Sequence, residues 1–198
     1  MNIHQLSVNY LQEQDRILAR INTTDGAELR LWLTRRLTLG LMPLLNKLVT
    51  EQVATQEALK SPAISPTAAA DAQTKAMLAE FKKEESLQKS DFQTPFKTQP
   101  GQLPLGAKPL LVTEVNLTPL ANGQLQMAFS EKRPDTLNPR SFQIVLEANL
   151  IHGFVHLLEK ALVASQWTQG LTLAGPAAAD RLPGESGGGD SEKPKYLN

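Results

Sequence analysis

The segment from Glu28 to Leu48, ELRLWLTRRLTLGLMPLLNKL, returns without a gap at Ser141 to Ala161 as SFQIVLEANLIHGFVHLLEKA. At the constant offset of 113, Leu33 meets Leu146, Leu37 meets Leu150, Gly40 meets Gly153, Leu44 meets Leu157, Leu45 meets Leu158 and Lys47 meets Lys160. Such self-similarity constrains a fold more than any short motif. Each copy should be one structural unit that buries its apolar face against its neighbour.

Both copies switch apolar period at the same point. In the first, Ile17, Ala19 and Ile21 alternate, an Asp25-Gly26 turn follows, and Leu29, Leu31 and Leu33 resume the alternation. That pattern predicts a hairpin over Arg16 to Leu33, preceded by a strand over Gln5 to Leu11. From Thr34, a fair N-cap, the spacing becomes Leu37, Leu41, Leu44, Leu45 and Leu48. This is a helix with one wide apolar stripe running toward Leu59, bent or interrupted at Pro43. In the second copy Leu111, Thr113, Val115 and Leu117 alternate, Ala121-Asn122-Gly123 makes a turn, and two more strands carry Leu125, Met127, Phe129 and Phe142, Ile144, Leu146. A helix from Ala148 to Trp167 closes it.

The expected fold class is therefore α+β: two tandem βββα units, each an antiparallel meander followed by a helix, packed as a pseudo-twofold body. Three strands and one helix make a marginal core alone, which is why the units should share one. Residues 1–60 form the first unit and 110–170 the second. Residues 61–109, rich in Pro and Ala, read as a linker with a short polar helix over Ala70 to Gln88, and 171–198 as a disordered tail. A glycine inside a helix costs ~1 kcal/mol against alanine. Its recurrence at Gly40 and Gly153 points to another backbone close by, as where the two helices would cross.

Composition narrows the function. The formal net charge is zero, with 20 basic and 20 acidic residues, so phosphate binding would need a local patch. There is no cysteine, which removes disulfides, thiolate metal sites and cysteine nucleophiles and suits a reducing, cytoplasmic location. The N-terminus lacks the pattern of a signal peptide, and the apolar run Leu37 to Leu45 is about half of what crosses a bilayer, so no membrane insertion is expected.

No catalytic motif stands out, and the expectation is a non-enzymatic protein without cofactor. His152 and His156 share a helical face at i and i+4, a spacing that can begin a metal site, but the glutamate of the zincin pattern is missing. The better lead is the hairpin. With its apolar residues turned inward, Arg16, Arg20, Arg30 and Trp32 share the opposite face, with Arg35 and Arg36 at the rim. Guanidinium groups beside an indole suit protein interfaces, and they also suit single-stranded nucleic acid, where charge meets phosphate and the ring stacks on bases. The same face in the second unit is neutral: Gln124, Gln126, Gln143, Val145 and Glu147. Tyr196 and Leu197, on a flexible tether, form a candidate docking motif. The leading expectation is an adaptor that binds another protein or a second copy of itself, the alternative a single-strand nucleic-acid binder, and the weakest a metal-dependent activity at the two histidines.

Overall fold

A computed structural model of the chain describes residues 3–60, 72–98, 102–132 and 140–169. The described elements, in chain order, are β1 (Ile3–Leu11), β2 (Arg16–Thr23), β3 (Glu28–Leu33), α1 (Arg35–Lys60), α2 (Ala72–Lys89), β4 (Leu110–Leu111), β5 (Glu114–Pro119), β6 (Leu125–Glu131), β7 (Arg140–Leu146) and α3 (Ala148–Ser165). The class is α+β, with strand, strand, strand, helix in order at each end of the chain. The described residues up to Trp167 belong to one compact unit, and 170–198 lie outside the described residues.

The hairpin follows directly from its residues. Ile17 pairs with Leu33, Ala19 with Leu31 and Ile21 with Leu29. All six are essentially inaccessible to solvent, as the alternation requires. Gly26, at φ 84°, takes the left-handed position that the turn demands, and Thr23 closes that turn by hydrogen bonds with Ala27. β1 joins the far side of β2, so this sheet runs β1-β2-β3-β4; a second sheet runs β5-β6-β7. In the second sheet Leu125, Met127 and Phe129 are fully buried, and Phe129 stacks on Phe142 at 5.2 Å between centroids.

The expected single strand through Leu111, Thr113, Val115 and Leu117 divides in two. Leu110 and Leu111 pair in parallel with Leu31 and Trp32, and the Val112 amide donates to the Trp32 carbonyl at 3.0 Å. One residue later the Thr113 amide donates to Ser130 at 2.9 Å, and β5 continues along β6. This short stretch therefore belongs to both sheets and ties them together.

Thr34 caps α1 as expected, its Oγ1 accepting from the Leu37 amide at 3.4 Å. The helix continues through Pro43, whose ring is exposed. The linker helix appears as α2, which packs on α1 and α3, ties Lys83 to Glu159 at 3.0 Å, and donates from Ser86 Oγ to Asn149 Oδ1 at 3.1 Å. α3 rests chiefly on β1 of the first sheet and only lightly on β7, while α1 touches β5. Each helix thus leans toward the first strand of the other half.

The expected close helix crossing at the two glycines fails. A Cβ added at Gly40 or Gly153 would meet no atom within 4 Å, so neither glycine marks a close crossing of helices. Each lines a groove instead.

Candidate functional site

The β2–β3 register sets Arg20 opposite Arg30 and Leu18 opposite Trp32, on the outward face that the alternation predicts. Two guanidinium groups side by side repel, and the sequence answers with Glu28 on the same strand face. Its fully buried carboxylate accepts from Arg20 Nε at 2.9 Å and from Arg30 Nε at 2.8 Å, both on Oε1. Burial pushes the Glu28 pKa up, but the hydrogen bonds and charges of Arg30 and Arg20 outweigh it and hold the group below its ordinary value. Glu28 Oε2 has no partner among the described residues.

The linker reaches this face. The Phe96 ring lies 4.2 Å from the Arg20 guanidinium, Arg20 Nη2 donates to Thr98 Oγ1 at 2.7 Å, and the Lys97 backbone is held by Asn22 Nδ2 at 2.7 Å and by Gln5 Oε1 at 3.1 Å. Arg20 is therefore engaged on three sides. Arg16 and Trp32 are half-buried on the remainder of the face.

The rim arginines separate. Arg35 Nη2 donates to the Trp167 carbonyl at 2.9 Å, beside a cluster that the sequence did not announce. There Trp167 Nε1 donates to Asp15 Oδ1 at 2.7 Å, Tyr10 Oη donates to the same oxygen at 2.9 Å, and the two rings meet edge-on at 5.6 Å. The Trp167 and Tyr10 hydrogen bonds lower the Asp15 pKa against the opposing effect of burial, the Arg35 charge adding to them, and the Asp15 bond raises that of Tyr10. This cluster fastens the end of α3 to the β1–β2 corner. Arg36 points away from it, into a groove. The six residues read as one binding face thus belong to three neighbourhoods.

His152 is 4% exposed, and His156 lies 5.4 Å from the Phe92 ring. Burial first, then Lys83 for His152 and Lys160 for His156, lowers both pKa values and favours the neutral rings. Glu159 is paired with Lys83, and among the described residues no three metal-capable side chains come together. Tyr196 and Leu197 lie outside the described residues.

Among the described residues, two grooves lie beside Gly153 and Gly40. The first, about 440 Å³, runs along the free edge of β1 from His4 to Asn9, between α3 (Asn149, Leu150, Gly153, Leu157) and the loop Ser90 to Phe96. Asp91 shapes that loop, accepting the Gln93 and Thr94 amides at 2.9 and 3.0 Å; its pKa is lowered, chiefly by the Thr94 hydroxyl. The second groove, about 380 Å³, lies between α1 (Arg36, Leu37, Gly40, Leu41, Leu44) and the stretch Leu111 to Thr113 with Val115. Sequence reasoning missed both grooves. Two signals were present: the uncharged run of β1, IHQLSVNYL, and the two open glycines.

Among the described residues no helix is long and apolar enough to cross a membrane. Compared with protein-family models, curated proteins and solved structures, the chain matches none of them.

Proposed function

We propose that this chain is a non-enzymatic protein-binding module that accepts an extended segment of a partner as an added strand on β1. One observation carries the reading. β1 is a nine-residue edge strand with neither a charged residue nor a proline, and six consecutive residues of it form one wall of a groove. Edge strands are normally protected by charge, proline or cover, because a row of unpaired amides and carbonyls invites another chain. Strand addition beside a helix uses that row for affinity and side-chain pockets for specificity. Leu6, Val8, Leu150 and Leu157 supply apolar pockets here, and Gly153 leaves room for a close-lying backbone.

The partner is expected at this edge rather than on the arginine and tryptophan face, since Glu28 and the linker already satisfy Arg20 and Arg30. The test is selection of random peptides on the immobilised chain, followed by amide exchange of the chain with a selected peptide bound. Slowed exchange across Gln5 to Asn9, abolished in Gly153→Leu, is the expected result. Selected peptides that leave β1 exchange unchanged would refute the edge reading.

Single-stranded nucleic acid on the outer face is the second reading, supported by the half-buried Trp32 beside Arg30 and Arg16. Anisotropy of labelled single strands at about 50 and about 200 mM salt tests it. Absence of binding at the lower salt removes it, whereas salt-steep binding lost in Arg16→Ala and Trp32→Ala sustains it.

A further inference from the structure

The two grooves are lined by the same repeat positions. On α3 the first uses Asn149, Leu150, Gly153 and Leu157; on α1 the second uses Arg36, Leu37, Gly40 and Leu44, each 113 residues before its counterpart. In both, a helix faces the start of an edge strand belonging to the other half of the chain. Four coincident positions out of a helix face are hard to obtain unless the two surfaces have the same form.

The linker segment Asp91 to Phe96 forms the far wall of the α3 groove, with the Phe92 ring 5.4 Å from His156 and 5.7 Å from Lys160 Nζ. At the matching places α1 carries Pro43 and Lys47, and no described linker residue lines its groove. Leu44 is accordingly 56% exposed, whereas its counterpart Leu157 is partly covered. The charge differs as well. Asn149 is occupied by Ser86, but Arg36 stands in its place exposed and without an ion pair among the described residues.

We propose that the α1 groove is a second peptide site, for an extended partner segment that carries an acidic residue beside an aromatic one. The aromatic ring lies over Gly40 and Leu44 within reach of Lys47, a cation–π arrangement like that of Phe92 and Lys160, and the carboxylate meets Arg36. Glycine at position 40 lets the peptide approach the helix closely, and arginine selects for the acidic neighbour. This inference rests on the reading of the chain as a strand-accepting module and extends it from one groove to two.

The probe is a fluorescein-labelled peptide of the chain's own Ser90 to Thr98 sequence, SDFQTPFKT, titrated with the full chain and followed by anisotropy. The substitutions assign the site, the α1 variants reporting on the α1 groove and Gly153→Leu on the α3 groove. Saturable binding is expected, weakened about tenfold or more by Gly40→Leu, and likewise by Phe92→Ala or Asp91→Asn in the peptide. Arg36→Ala should cost about threefold or more, and Gly153→Leu less than twofold. Circular dichroism confirms folding; should Gly40→Leu fail to fold, Leu44→Glu replaces it. No binding of the probe by the unmodified chain, or binding indifferent to both α1 substitutions, overturns the proposal. Binding lost in Gly153→Leu alone overturns it while sparing the β1 reading. Indifference to every variant, with selected peptides also indifferent to Gly153→Leu, sinks both. A rise in the mass of the chain on light scattering, abolished by Gly40→Leu and matched by no probe binding, assigns the groove to a second copy and overturns it too.

Discussion

Replacing Gly40 or Gly153 by alanine should stabilise the protein, an unusual direction for a change at a repeated glycine. Both residues lie inside helices, at the sixth positions of α1 and α3, and neither has positive φ. Alanine in a helix interior is favoured over glycine by about 1 kcal/mol, mainly because glycine loses more backbone freedom on folding. A steric cost would offset that gain if the new methyl met a neighbour, but nothing lies within 4 Å of either Cβ. The expected gain is thus about 0.5–1 kcal/mol per site, and the double variant should approach the sum, since the two grooves share no lining residue. In urea this appears as a higher midpoint at unchanged slope, and on heating as a rise of roughly 2–4 °C per kcal/mol for a chain of this size. A loss of about 1 kcal/mol or more in either variant would refute the reasoning. It would mean that a backbone does press on the glycine, as the helix-crossing expectation from sequence required.

Other perturbations separate by pH and by partner. Glu28→Gln removes the carboxylate between two guanidinium groups; because Arg20 and Arg30 keep 21% and 28% side-chain exposure, the loss should be about 2 kcal/mol near neutrality rather than the larger value of a fully buried pair. The Glu28 pKa is lower in the fold than the ordinary 4.5, so its contribution is complete above that value and is lost as pH falls through the folded pKa. The difference between wild type and Glu28→Gln in thermal midpoint should shrink in that acid window; a constant difference would count against the pairing. His152, held below its ordinary 6.5 mainly by burial, contributes stability that is complete above 6.5 and declines as pH drops below it. His152→Leu should flatten the stability profile below about pH 6.5, and a profile unchanged by the substitution would show that other groups govern that range. Trp167→Ala should cost about 3–5 kcal/mol, and a double-mutant cycle with Asp15→Asn should give a coupling of about 1 kcal/mol or more; strict additivity would deny the hydrogen bond between them.

What could be read from the residues alone was whatever repeats locally. The β2–β3 hairpin announces itself through alternation around Asp25-Gly26, and α1 and α3 through leucines at helical spacing, because the side chains that make those signals lie within one or two turns of each other. What binds the elements together left no such trace. Phe96 over Arg20, Gln102 against Glu28, and Trp167 on Asp15 join residues far apart in the chain, and nothing periodic links them. The division of one alternating run between two sheets at Val112 was hidden for the same reason: both halves alternate, and only the partners differ. Arg35 and Arg36 are adjacent in sequence yet serve different neighbourhoods, since consecutive helix positions point about 100° apart.

The exchange of helices between halves explains why grooves exist here at all. A helix centred on its own meander would cover the middle of that sheet. α3 instead lies toward β1, at the sheet's outer limit, and α1 lies toward β5, so each helix overhangs an edge strand. An overhang leaves a slot between helix and strand edge, and the side chain facing that slot decides whether it is filled from within. At positions 40 and 153 that side chain is absent, although alanine would fit and would hold the helix better. Stability alone therefore does not account for glycine at both places. The strand-accepting function proposed above would account for it, because an incoming segment gains from the missing methyl.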